Sequence, residues 1–334
     1  MSYSTLSSTL SLAATPRWTG RPGRMEVWYA TVTDPVTGIG LWVHYETIAP
    51  CEERGGEPYG HGWVSVFPVD GPPVTGRFGP SPVEPPGVDG PWFATEFARA
   101  EANHWTGTAG AISWKLSWQD TSDPLWTFPK IAWSRELLPG AQTVVAPTAT
   151  FTGTVDVAGT VHRFDGGRGG VSHIYSHGNA KRWVWLHADL GNDDVLEIVS
   201  AVSQSPILNR LPAMAFLRLR IDGEDWPSGP LPALRTTTEI TLPRWTVAGR
   251  IGRRRVRVAV DQPEDRCVAL EYIDPDGEKA VCTNTERADV EITLDKREGG
   301  RWVSERAWSL HGTGHAEVGL RAPLAPAINE RTQP

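Results

Sequence analysis

The chain has 334 residues, 21 % of them charged and 40 % apolar, with a net charge of −7. That balance is globular, excludes a disordered chain, and argues against binding bulk nucleic acid. No apolar run is long enough for a membrane-spanning helix, and 334 residues suit two domains better than one core.

Turn-forming residues point the same way: 34 Gly and 28 Pro are spread along the chain between short strands. The N-terminal MSYSTLSSTLSLAATPRW lacks both a basic region and a continuous apolar stretch, which predicts no secretion signal. Cys51, Cys267 and Cys282 are few, odd in number and not spaced as a metal knuckle. They are expected to be reduced residues of a cytoplasmic protein.

In chain order, strand patterns dominate. They include 26–33, 40–48, 62–67, 112–118, 142–145, 150–157, 171–175, 182–190, 195–202, 215–221, 236–242, 255–260, 268–273, 290–294, 301–310 and 315–320. The one helix candidate is Trp92–Asn103, which could also be strand. Gly71–Gly90 carries six prolines and is expected to be a long loop. Gly166–Gly170 is expected to form a hairpin turn with a bulge, since no Lys-Ser/Thr follows to make a phosphate loop. The basic run Arg250–Arg257 is expected to be the solvated face of one strand. Many short strands without an α/β alternation predict an all-β chain of two antiparallel β-barrel or sandwich domains. The break at Gln204–Pro212 sets the expected domains at 1–205 and 206–334, with Leu137–Pro147 as an alternative boundary.

The segment Gly169–Glu197, GGVSHIYSHGNAKRWVWLHADLGNDDVLE, carries the functional signal. Alternate residues of a strand share a face, so Val171, His173, Tyr175 and His177 lie together. So do Trp183, Trp185, His187 and Asp189, opposite an apolar set of Val184, Leu186, Ala188 and Leu190. A three-residue loop at Gly191–Asp193 keeps apolar partners together and pairs His187 with Glu197. A two-residue loop at Asn192–Asp193 would set His187 against Ile198. An aromatic and titratable face beside an apolar one suits either a pocket wall or a hydrogen-bonded barrel interior. His173 and His177, with His187, Asp189 or Glu197, have the residue types of a zinc set. Four extended residues span roughly 13 Å, too far for one ion unless the chain turns, so neither metal nor cofactor is expected. Trp42/His44/Glu46, Asn284/Glu286 and His315/Glu317 are three further same-face sets, read as cross-strand polar pairs.

GGVSHIYSHGNAKRWVWLHADLG and the opening hairpin WYATVTDPVTGIGLWVHYE resemble a superfamily that includes hydroxyneurosporene synthase, tocopherol cyclases, AttH-like proteins and lipocalin-like Diels–Alderases. Tocopherol cyclases have a tyrosine and an acidic residue leading to Asn-Trp-Gly, then Trp-x-Trp-x-Gln. Here Trp183 and Trp185 keep the tryptophan pair, His187 stands where Gln would be, and Asn-Trp-Gly is absent. His173 falls near the acidic position, and no catalytic acid is carried over to it. The resemblance implies two lipocalin-like β-barrel domains holding an apolar terpenoid, polyketide or lipid-like molecule. The expected chemistry is cofactor-free cyclisation, hydration or isomerisation. In it, Glu197 or Asp189 is the acid, His187 tunes or relays its proton, and Trp183 and Trp185 hold the ligand. His173, Tyr175 and His177 would orient polar ends. A non-catalytic carrier or sensor, or a protein-interaction scaffold, would use the same face differently.

Overall fold

The computed structural model describes residues 12–87, 90–120, 122–204, 208–228 and 236–321. They form two compact units. Among the described residues the first holds 12–179 and 272–279, and the second holds 180–271 and 280–321.

The first unit contributes β1 (Arg24–Thr33), β2 (Gly40–Ala49), β3 (Tyr59–Phe67), β4 (Val74–Pro82), β5 (Phe93–Ala94), β6 (Ala98–Ala100), β7 (His104–Ala109), β8 (Ile112–Gln119), β9 (Gly140–Val157) and β10 (Thr160–Ser176). The second is built on β11 (Arg182–Gly191), β12 (Asp194–Val202), β13 (Met214–Ile221), β14 (Glu224–Trp226), β15 (Thr236–Glu239), β16 (Arg244–Ile251), β17 (Arg254–Asp261), β18 (Val268–Ile273), β19 (Lys279–Glu298) and β20 (Arg301–Arg321). The sheet orders are β4-β3-β2-β1-β10-β9-β8-β7-β6-β5 and β14-β13-β12-β11-β20-β19-β17-β16-β15, with β18 also on β19.

Both sheets are antiparallel and curled, each in the manner of a lipocalin-like barrel. In the first, the β4 edge comes back on β7: a Cβ on Gly76 would lie 2.4 Å from the Ala109 carbonyl oxygen. In the second, Thr236 donates its hydroxyl to the Ala215 carbonyl at 3.4 Å, and Ser200 and Thr238 hydroxyls are 2.7 Å apart. These contacts bring β15 beside β12 and β13.

Period-two alternation explains the packing. In the second sheet Val184, Leu186, Leu196, Ile198, Leu217, Leu219, Val258, Ile292 and Val318 fill one apolar core. In the first, Tyr45 is wrapped by Trp105, Phe93 and Trp114, and its hydroxyl accepts the Trp114 indole N–H at 2.7 Å.

Four local expectations change. Trp92–Asn103 is not a helix but gives β5 and β6, because its apolar residues pair across a tight sheet turn. A short helix forms instead at Lys130–Arg135. Half of the proline-rich loop is β4, an edge strand, where outward amides need no partner. The glycine cluster lies inside β10 as two bulges rather than at a turn. Its Gly169 is needed because β1 runs so close. The basic run is a hairpin rather than one strand, reversing at Gly252 between β16 and β17, with Arg254 on Glu305 and Arg255 on Asp295. The passage between the units is at Asn179–Ala180. Gln204–Pro212 falls within the second unit, between the paired strands β12 and β13.

His173 works as an internal fastener of the first unit. It is fully buried in β10, stacked on Trp28 with centroids 3.6 Å apart, and its Nε2 lies 2.7 Å from Glu26 Oε1. Its Nδ1 meets the Ala13 carbonyl at 2.9 Å, and Glu26 also accepts the Arg17 and Trp18 amides. One buried pair thus holds the 12–18 segment to the barrel interior. Breaking such a pair leaves a buried polar group unmatched. His173→Ala should therefore cost about 3 kcal/mol and speed tryptic cleavage after Arg17. Unchanged thermal melting and unchanged cleavage would contradict this role.

Candidate functional site

The β11–β12 hairpin sets the site's geometry. Asn192 and Asp193 both have positive φ, 54° and 62°, as a two-residue type I′ turn requires. Gly191 pairs with Asp194, and a bulge between Asp189 and Gly191 takes up Leu190. The turn is therefore two residues long. The bulge nevertheless restores the register of a three-residue loop, and His187 pairs with Glu197.

On β11, the face opposite the apolar core carries Trp183, Trp185 and His187. Strand β20 brings Gly319, Glu317 and His315 opposite these three, in that order. Strand β19 then sets Cys282 beside Gly319 and Asn284 beside Glu317, with Glu286 two residues on. Four strands thus assemble one polar and aromatic surface. Glu197 is fully buried, with Oε1 accepting the Trp185 indole N–H at 2.6 Å and Oε2 2.9 Å from His187 Nδ1. Glu317 is partly accessible. Its Oε1 accepts the Trp183 indole N–H at 2.7 Å, and its Oε2 accepts the Cys282 thiol at 3.2 Å. Gly319 permits this arrangement, since a Cβ there would lie 1.9 Å from the Trp183 ring.

Electrostatics divide these groups. Desolvation raises the Glu317 carboxyl to about 7, against the hydrogen bonds from Trp183 and Cys282 and with help from the nearby acidic side chains Glu286 and Glu197. Burial likewise pushes Glu286 well above the ordinary carboxylate range. Burial, reinforced by His187, lowers His315 to about 3. Glu286 Oε2 lies 2.6 Å from His315 Nδ1, and burial disfavours the charged form of both groups. The buried Asn284 amide and His187 Nε2 have no hydrogen-bond partner of good geometry. Buried polar groups in that state are those a bound molecule would satisfy.

Of the residues singled out in the sequence, Trp183, Trp185, His187 and Glu197 come together here. Asp189 lies toward the turn, where Oδ1 accepts the Gly191 amide at 2.9 Å. His173 and Tyr175 belong to the first unit's interior, with Arg17 over the Tyr175 ring. His177 is exposed just beyond β10, its ring 3.5 Å from Arg24. Cys282, Asn284, Glu286, His315 and Glu317 join the cluster only through β19 and β20. The signal of Asn284, Glu286, His315 and Glu317 in the sequence is same-face spacing, without a long-range partner, and Cys282 reads only as a reduced cysteine. Among the described residues no group of three His, Cys, Asp or Glu is arranged to hold a metal ion. No helix of the described residues is long and apolar enough to cross a membrane.

Comparison with known proteins agrees with this architecture. A crystal structure of CghA with Sch210972 superposes with a TM-score of 0.58 at 14 % identity, covering 92 % of this chain and 96 % of that one. An AttH-like protein from Nitrosomonas europaea gives 0.51 at 14 % identity, covering 88 % and 92 %. Kievitone hydratase from Nectria haematococca gives 0.51 at 11 % identity, covering 93 % and 92 %. In sequence, an uncharacterised protein of Mycobacterium tuberculosis, in strains CDC 1551 and H37Rv, is 58 % identical over 321 residues, which is 96 % of this chain and 93 % of that protein. The family model described as tocopherol cyclase-like matches residues 93–320. The chain belongs to the tocopherol cyclase-like family.

Proposed function

We propose that the second unit binds an apolar terpenoid, polyketide or lipid-like molecule against the Trp183/Trp185 face and protonates it from Glu317. The carrying observation is a partly accessible carboxyl that accepts the Trp183 indole N–H and pairs across the strands with Trp185, and desolvation raises it to about 7. An acid near that value retains its proton at working pH and can still release it. We assign the acid to Glu317 rather than Glu197 or Asp189, because Glu197 is wholly buried and Asp189 lies toward the turn, where it accepts the Gly191 amide. The partial accessibility of Glu317 suits contact with a ligand.

Transfer of the Glu317 proton to an alkene carbon makes a new C–H bond and leaves a cation on the ligand and a carboxylate on Glu317. The Trp183 N–H and Cys282 S–H already point at that carboxylate. Indole faces attract the cation. Capture by an internal hydroxyl gives cyclisation and capture by water gives hydration, each with loss of the added group's proton to Glu317, and return of a neighbouring proton to Glu317 gives isomerisation. The Glu197–His187 pair holds Trp185 in place. With three free cysteines, we assign the protein to the cytoplasm.

Incubation in D2O with farnesol, geranylgeraniol and oleic acid tests this reading. Saturable quenching of tryptophan fluorescence identifies binders, and mass spectrometry follows deuterium on carbon. Wild-type protein should label a bound alkene, and Glu317→Gln should slow labelling by roughly 100-fold while keeping binding. Binding without labelling would favour the carrier, and equal labelling by the variant would remove Glu317 as the acid.

A further inference from the structure

A second buried polar cluster lies in the first unit, outside the surface described above. Its core is Glu46 and His44 on β2 with His61 on β3, where cross-strand pairing sets Glu46 against His61 and His44 against Trp63. Glu46 is wholly buried, and its Oε2 lies 3.2 Å from His61 Nε2 and 3.8 Å from His44 Nε2. The two imidazoles flank Oε2 without ideal hydrogen-bond geometry, and Oε1 has no partner. His44 Nδ1 and the indole N–H groups of Trp42 and Trp63 are also unpartnered, in residues at most 3 % exposed. Natural folds rarely leave so many buried polar atoms unmatched. A metal is not the answer, since these donors are not arranged around an ion.

The chemistry narrows the ligand. Burial alone would raise the Glu46 carboxyl, but the two imidazoles outweigh it and hold it at about 2, so a carboxylate is buried on the same face of β2 and β3 as the two indoles. The aromatic faces are already taken. His44 stacks on Trp63 with centroids 4.3 Å apart, and Arg77 lies over the same ring at 5.3 Å from the adjoining strand. Tyr272 meets both His44 and Trp63 edge-on. An organic cation needs an open ring face and finds little here. A hydroxyl needs an acceptor for its hydrogen and a donor for its oxygen, and the cluster offers both.

We propose that the Glu46/His44/His61 cluster is a second ligand-recognition site, which binds the hydroxyl group of a neutral alcohol. The hydroxyl donates to Glu46 and accepts from the indole N–H of Trp42 or Trp63. This site is argued from the first unit alone and stands whether or not Glu317 is an acid.

The test uses 2-naphthol and its methyl ether, 2-methoxynaphthalene, which keeps the ring and loses the O–H. Calorimetry should give saturable naphthol binding to wild-type protein and at least about tenfold weaker binding of the ether, because a buried acceptor then goes unpaired. Glu46→Gln should lower naphthol affinity by a similar factor. Should that variant fold poorly, indole N–H proton resonances of the wild-type protein locate the site. Those of Trp42 and Trp63, assigned through Trp42→Phe and Trp63→Phe, should shift on adding naphthol. Equal binding of naphthol and ether, no saturable naphthol binding, or unmoved Trp42 and Trp63 resonances would each overturn the proposal.

Discussion

Glu317→Gln should stabilise the protein at pH 8 and leave it nearly unchanged at pH 4. The carboxyl goes from an ordinary value of 4.5 to about 7 on folding. Below 4.5 it is protonated in both states and carries no penalty. Between 4.5 and about 7 the unfolded chain releases the proton while the folded chain keeps it, so stability falls as pH rises. Above about 7 the loss is complete. Reduced for the residue's partial access to solvent, it amounts to about 2 kcal/mol. Glutamine keeps the acceptor for the Trp183 N–H and has no charge to desolvate. Urea midpoints of wild type and variant at pH 4 and pH 8 measure the effect. A gap that did not widen with pH would mean that Glu317 ionises freely in the fold. The same substitution should remove proton transfer. Stability and activity would then move in opposite directions, as expected where a fold keeps a costly group for chemistry.

Gly169→Ala should have the largest effect of any single added methyl on the first sheet. Its Cβ would lie 1.8 Å from the Thr31 carbonyl oxygen, 2.8 Å from the Thr31 carbonyl carbon and 3.0 Å from the Val32 Cα, all backbone. No rotamer change relieves such a clash, and β1 would have to part from β10. Strand β1 links the β2–β4 half of the sheet to β9 and β10, so the parting falls at the centre. Overpacking costs 1–3 kcal/mol where side chains can yield, and backbone that cannot yield raises this to about 4 kcal/mol or loss of folding. Gly87→Ala is the comparison, since nothing lies within 4 Å of a Cβ there. It should leave the thermal midpoint unchanged. A Gly169→Ala protein melting with wild type would show that β1 and β10 are not so closely apposed.

The β11–β12 pairing was legible because the apolar face of Trp183–Leu190 admits one register that keeps Leu186 on Ile198 and Ala188 on Leu196. The device that produces it was not. A two-residue turn and a compensating bulge give the same register as a three-residue loop, and side-chain alternation cannot distinguish them. Glu317 was visible only as a neighbour of His315, because its partner Trp183 lies 134 residues away. Strand spacing reports faces; it does not report which distant strand lies alongside. His173 and Tyr175 carried the right residue types but sit within the first unit, where Glu26 and the 12–18 segment engage them. The glycine cluster was readable as a bulge, while the close approach of β1 that requires Gly169 is a property of the assembled sheet.

The first unit is not one continuous stretch of chain. Tyr272–Lys279 belongs to it, held by the Cys51 amide on the Pro275 carbonyl and by Asn179 and Arg54 on Asp274. On the ribosome, this part of the barrel's contacts must wait for about a hundred further residues, roughly 5–20 s at ordinary elongation rates. A gene truncated after Asn179 would encode a unit lacking Tyr272 and the Asp274 anchor. Dissecting this protein therefore calls for a circular permutation or a grafted loop instead of a simple cut.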